Sequence, residues 1–181
     1  MARARTGATG LRIGAWSAYA SGAAAAIGVP LLIGMYVVLS RTGAKNPLVA
    51  RLGGANDAMV LAQYALALPL AVALHQRNRS TDPRLSGAAT AVGLSAMTAI
   101  VVLQALLLAD VLEFEDQVAY VAIAIWLLVF WFITVGRLGR ANGLLTGRTT
   151  LMSLVGASYF GFPIWAFWLG RQLSRAAADD S

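Results

Sequence analysis

Charged side chains along this chain fall in clusters, and between the clusters lie five stretches free of Asp, Glu, Lys and Arg: 13–40, 58–76, 85–109, 117–136 and 149–170. The shortest has 19 residues and the longest 28. A helix rises about 1.5 Å per residue and needs roughly 20 residues to cross a hydrocarbon layer of about 30 Å, so each stretch can span a bilayer. The pattern predicts an all-α integral membrane bundle of five transmembrane helices, one domain over 1–181 with no extramembrane domain.

Residue size within the stretches predicts how the helices meet. Lipid tails are as apolar as leucine, so membrane helices associate where small side chains let backbones approach. Ala18, Gly22, Ala26, Pro30 and Gly34 recur every four residues in the first stretch, as do Gly87, Ala91, Ser95 and Ala99 in the third and Ser153, Ala157 and Gly161 in the fifth. The fourth has no such stripe, and its Trp126, Phe130, Trp131 and Phe132 are expected to face lipid or another subunit. Pro30, Pro69 and Pro163 lie near the middles of their stretches, and each predicts a kink, because proline lacks an N–H and clashes with the carbonyl four residues back. Such kinks are either the broken helices of a transporter or the ordinary proline content of membrane helices. Trp16, Tyr19, Tyr36, Tyr120, Trp165 and Trp168 lie near stretch ends and are expected to anchor at the headgroups.

Counting basic residues loop by loop sets an orientation. With the N-terminus cytoplasmic and five crossings, nine of the 14 basic residues fall inside and the C-terminus is external. Arg41, Lys45 and Arg51 give the first outer loop an unexpected positive charge, while Asp110, Glu113, Glu115 and Asp116 make the next outer loop acidic. The two loops either pair or are solvated independently, since exposed ion pairs contribute only about 0–1 kcal/mol. The small residues of the first stretch precede its most apolar part, the reverse of a cleavable signal, so it is expected to be retained.

Composition removes whole classes of function. There are no cysteines and one histidine, which excludes disulfides, thiolate metal sites and a bis-histidine haem within one chain. The net charge of +6 sits at the ends of apolar runs, where membrane topology places it, so nucleic acid is not an expected partner. Thirteen arginines against one lysine suggest a GC-rich bacterial genome. No phosphate-binding or nucleophile-elbow motif is present. His75 and Asp57 lie 18 residues apart, about 27 Å along one helix, too far to share a catalytic site. No catalytic residue, metal ligand or cofactor is assigned.

The polar residues left for binding descend from the outer ends of the second and third stretches: Asp57 and Gln63 on one, Gln104 and Asp110 on the other, with Asn56 beside them. Carboxylates and amides together are oxygen donors suited to a cation, although Asp57 could equally serve its helix as a first-turn acid. If Asp57 and Asp110 mark one boundary, Gln63 and Gln104 lie at equal depth and are expected to hydrogen-bond across the hairpin.

The segment Gly161, Phe162, Pro163, Ile164, Trp165, Ala166, Phe167, Trp168, Leu169, Gly170, Arg171, Gln172 and Leu173, preceded by Gly143, Leu144 and Leu145, resembles the last helix of bacterial multi-spanning membrane proteins grouped as a domain of unknown function. That resemblance implies a membrane location and no activity. Together these features predict a multi-pass cell-membrane protein in contact with lipid. It would act as a subunit or scaffold that packs on a membrane-protein partner or in a homo-oligomer; alternatively it is a small-molecule or ion carrier built as an oligomer. A lipid-modifying enzyme ranks behind both.

Overall fold

The computed structural model describes residues 2–145 and 149–180, with side chains from residue 8 onward except at 149 and 150. Arg3, Arg5 and Arg148, which entered the charge balance, lie outside the described side chains. The regular structure among the described residues is helical: α1 (Ala2–Thr42), α2 (Pro47–Asn78), α3 (Pro83–Leu108), α4 (Phe114–Ala141), α5 (Thr149–Gly156) and α6 (Phe162–Asp179). Four of these, α1 to α4, are long and apolar enough to cross a membrane, and the chain is a small helical membrane protein.

Caps and prolines, rather than charges, set the helix ends. Leu48 N–H donates to Asn46 Oδ1 at 2.9 Å ahead of α2, and Leu85 N–H donates to Asp82 Oδ1 at 2.9 Å ahead of α3. Pro47 and Pro83 occupy the first turns, where a missing N–H is harmless. At the end of α1, Gly43 takes φ +78 and its N–H returns to Leu39 O at 2.9 Å, a backbone state that costs glycine little. Arg51 and Asp57 interrupt the charge-free pattern without interrupting a helix, so α2 begins at Pro47, well before 58.

Successive helices run antiparallel. Gly10 sits against Gln76, Gly14 against Ala73 and Gly34 against Leu52 along α1 and α2. His75 Nδ1 lies 2.9 Å from Ser86 Oγ between α2 and α3, so His75 is partnered inside the bundle rather than solvated at its edge. Asn142 Nδ2 donates to Asn78 Oδ1 at 2.8 Å, placing the end of α4 level with the end of α2. These contacts define a proximal end of the bundle; the loops at 43–46 and 109–113 lie at the distal end. Each of α1 to α4 packs on the next, and among the described residues α1 and α4 do not touch.

The stretch 149–170 is not one helix. It breaks at 157–161 between α5, which has 8 residues and spans about 12 Å, and α6. Phe162 N–H donates to Ser158 O at 2.9 Å and Gly161 N–H to Ser158 Oγ at 3.0 Å, which closes the turn. A Cβ at Gly161 would stand 2.2 Å from Val155 O, so this turn requires glycine. Pro163 therefore opens α6 instead of kinking a span. Helix α6 descends along α1, with Pro163 O and Ala166 beside Gly22, Tyr19 beside Gly170 and Leu173 beside Gly14. It ends where Arg77 Nη1 meets Asp180 Oδ2 at 3.1 Å. The end of α6 thus shares the proximal end of the bundle with the start of α1, where five full crossings would put the two at opposite ends. The hairpin fills the gap between α4 and α1.

Packing follows the small-residue rule on different faces from those expected. On α1 the buried face runs through Gly14, Ala18, Ser21, Gly22, Ala25 and Gly28, while Ala26 and Pro30 are exposed. On α3 it is Ala89, Gly93, Ala96 and Ile100 that are buried, and Ala91, Ser95 and Ala99 point outward. Helix α4 is not wholly lipid-facing. Trp131 is fully buried over Gly93, and together with Phe132, Phe162 and Trp165 it forms an aromatic cluster with ring centroids 4.6–6.3 Å apart. Trp165, expected as an interface anchor, belongs to this core; Trp16, Tyr36 and Tyr120 remain exposed.

Pro69 lies inside α2, and the neighbouring helix repairs its effect. Leu70 N–H donates to Ser17 Oγ at 3.1 Å, and the same hydroxyl donates to Leu66 O, so a side chain from α1 is inserted into the backbone ladder beside the proline. We expect Ser17→Ala to lower the thermal unfolding midpoint in detergent, with a cost of about 1–3 kcal/mol for the stranded backbone groups. An unchanged midpoint would mean that the two groups pair directly once the hydroxyl is gone.

Candidate functional site

The break between α5 and α6 carries a tyrosine to the interior. Tyr159 Oη donates to Asn56 Oδ1 at 2.5 Å, and Asn56 is buried on the inner face of α2. The hydroxyl reaches it over Gly28 of α1, where a Cβ would lie 2.9 Å from Tyr159 Oη and 3.5 Å from Asn56 Oδ1. Three separate parts of the chain therefore converge, and the glycine provides the opening. Asp57, half-buried, follows Asn56 and lies within electrostatic reach of Tyr159. Below them, Tyr64 rests at 6.1 Å on Phe162, the second residue after the break's Phe160.

The two glutamines are buried, and they do not pair. Gln63 is 1% exposed with neither Nε2 nor Oε1 hydrogen-bonded, and Gln104 is 5% exposed with Oε1 unpartnered. The cause is register. The His75–Ser86 contact puts Gln104 opposite position 57 of α2 and Gln63 opposite position 98 of α3, so the amides are offset by about 9 Å along the bundle. The expected equal depth assumed that α2 starts near Asp57, whereas that residue is well inside the helix. Its role as a first-turn acid falls for the same reason.

Of the four sequence-predicted site residues, Asp57, Gln63 and Gln104 lie within helices of the distal half. Asp110 stands apart, exposed in the loop after α3 with φ 54. Gln117, buried on α4, and Tyr159 are polar residues of this half that were not predicted as site residues. Of the two readings of the outer loops, no ion pair joins them: among the described residues the sole ion pair is Arg77–Asp180. Among the same residues no group of three or more His, Asp or Glu is placed to hold a metal ion.

What this arrangement offers chemically is one carboxylate, several amide oxygens and a phenol in an otherwise apolar bundle. Unpaired amides in such surroundings cost about 1–3 kcal/mol each, so the distal half holds unused hydrogen-bonding capacity that a polar guest would satisfy. No family model, curated protein or solved structure matches the chain.

Proposed function

We propose that this chain is a multi-pass cell-membrane protein with four crossings and a re-entrant C-terminal hairpin, and that it is a small-molecule carrier binding a small cation or amine in its distal half. The observation that carries the reading is Gln63, an amide 1% exposed with no partner for donor or acceptor, on the same helix as Asp57. Asp57 supplies the negative charge, and Gln63 Oε1 and Gln104 Oε1 are free acceptors about 9 Å apart in depth, a separation that a cation keeping part of its water shell can bridge. A re-entrant segment at such a site fits the rule that irregular backbone within a membrane is either buried in protein or lines a water-filled cavity.

The same arrangement improves the charge balance. With α6 returning to the proximal side, eight of the 11 basic residues with described side chains lie there and only Arg41, Lys45 and Arg51 lie distally, which favours a cytoplasmic proximal end for both α1 and α6. The candidate site then lies in the exterior half of the membrane. Methylammonium and potassium are suitable probes: one of them is expected to raise the unfolding midpoint of the wild type in detergent and to have no effect on Asp57→Asn. Equal shifts in both proteins would refute a site at Asp57.

A subunit or scaffold role is the second reading, and α3 favours it. Ala91, Ser95 and Ala99 are exposed on one face, and a Cβ at Gly87 would meet nothing within 4 Å. Such a face suits another helix, from a second copy or a membrane partner. A strictly monomeric particle without a copurifying protein would leave only the carrier reading.

A further inference from the structure

At the proximal end, far from the cation site, α1 and α6 enclose a groove of about 310 Å³. Its floor is Ala15 and Ala177, both buried, and its sides are Trp16 and Tyr19 from α1 and Ser174 from α6, with Arg12 lining it as well. Close approach of the two helices shapes it. A Cβ at Gly170 would stand 2.8 Å from the Tyr19 ring, so the ring lies against α6 at this glycine. Trp16 meets Tyr19 edge-on at 6.3 Å, and Tyr19 meets Phe167 at 6.2 Å, which extends an aromatic wall from the groove toward the middle of the bundle.

We infer that this groove binds the headgroup of an anionic phospholipid of the cytoplasmic leaflet, resting on the membrane orientation proposed above. Three observations support that occupant. Arg12 is exposed, and among the described residues the sole ion pair is elsewhere, at Arg77–Asp180, so its guanidinium is free to meet a phosphate with two parallel N–H donors. Trp16 is 74% exposed and lies one helical turn deeper than Arg12, where an indole meets the glycerol level of a lipid. Exposed Phe167 continues the wall in the direction an acyl chain takes. A charged mouth over an apolar wall matches a lipid, whereas a free anion would leave the wall unused. Basic pockets between helices on the cytoplasmic side are suited to such headgroups.

The test is native mass spectrometry of the intact protein with equal amounts of phosphatidylglycerol and phosphatidylcholine. The wild type is expected to retain phosphatidylglycerol preferentially, and Arg12→Gln to lower that preference about fivefold, the effect of one basic contact at a membrane surface. Arg140→Gln, at an exposed arginine on the same end, should leave it unchanged, and Ser174→Glu should abolish it by placing a negative charge in the groove. An unaltered preference in Arg12→Gln and Ser174→Glu would overturn the inference. So would an equal loss in Arg140→Gln, which would show diffuse charge attraction, or displacement of the lipid by millimolar inorganic phosphate.

Discussion

Gly93→Ala is expected to destabilise the protein by about 1–3 kcal/mol, the usual cost of overpacking a filled core. Two effects oppose each other here. Alanine is the better helix former by about 0.8–1.0 kcal/mol, which taken alone would stabilise α3. Its Cβ, however, would lie 2.4 Å from Trp131 Cδ1 and 2.6 Å from Cγ. That ring cannot retreat, because it is fully buried and held by Phe132 at 5.0 Å and Trp165 at 6.1 Å. Sterics should therefore win. Trp131→Phe removes both bulk and an indole N–H that has no partner, so it should recover much of the loss in the double variant. Thermal unfolding of the single and double variants in one detergent checks this, and a Gly93→Ala protein as stable as the wild type would show that α3 and α4 are not packed in this way.

Replacing Gln63 with methionine should have the opposite sign. Methionine keeps the length and flexibility of glutamine while removing both unpartnered polar atoms, so Gln63→Met is expected to stabilise the ligand-free protein by about 1–3 kcal/mol. The same change should abolish the stabilisation by methylammonium or potassium. A residue that weakens the empty protein and is needed when the site is filled has the behaviour expected of a binding residue. If Gln63→Met is no more stable than the wild type, the amide already has a partner such as buried water, and the argument for a waiting site is lost.

Most of the secondary structure was legible in the charge pattern, and its failures share a cause. The stretches 85–109 and 117–136 fall close to α3 and α4, because Asp82, Pro83 and the acidic loop coincide with real helix ends. The stretch 58–76 missed the first third of α2, since a charged residue ends an apolar run but not a helix. Asn46-Pro47 is the sequence signal that marks the true start of α2. Length alone suggested a fifth crossing at 149–170, yet Gly156, Ser158, Gly161 and Pro163 fall within eight residues, a density of helix-breaking residues that marks a turn.

The candidate site was half legible. Asp57, Gln63 and Gln104 were singled out by their polarity within apolar helices, and that signal is local. Tyr159 was not, because it lies in the middle of the apolar run 149–170, where only the turn of the hairpin brings it against Asn56. The relative depth of Gln63 and Gln104 depends on the register between α2 and α3, which His75 and Ser86 set from the far end of the hairpin. Small-residue stripes misled on α3 because alanine is so common there that either face satisfies the spacing, and only the bulk of Trp131 selects the face bearing Gly93.

On the proposed topology the last apolar stretch enters and leaves the membrane on one side. Because the chain has no cysteine, single cysteines report their position without background. Ser80→Cys, Glu113→Cys and Asp179→Cys, each probed in right-side-out vesicles with a membrane-impermeant maleimide, measure it directly. The account predicts that Glu113→Cys is labelled in intact vesicles, while Ser80→Cys and Asp179→Cys are labelled only after permeabilisation. Labelling of Asp179→Cys together with Glu113→Cys in intact vesicles would make 149–170 a fifth crossing and contradict it.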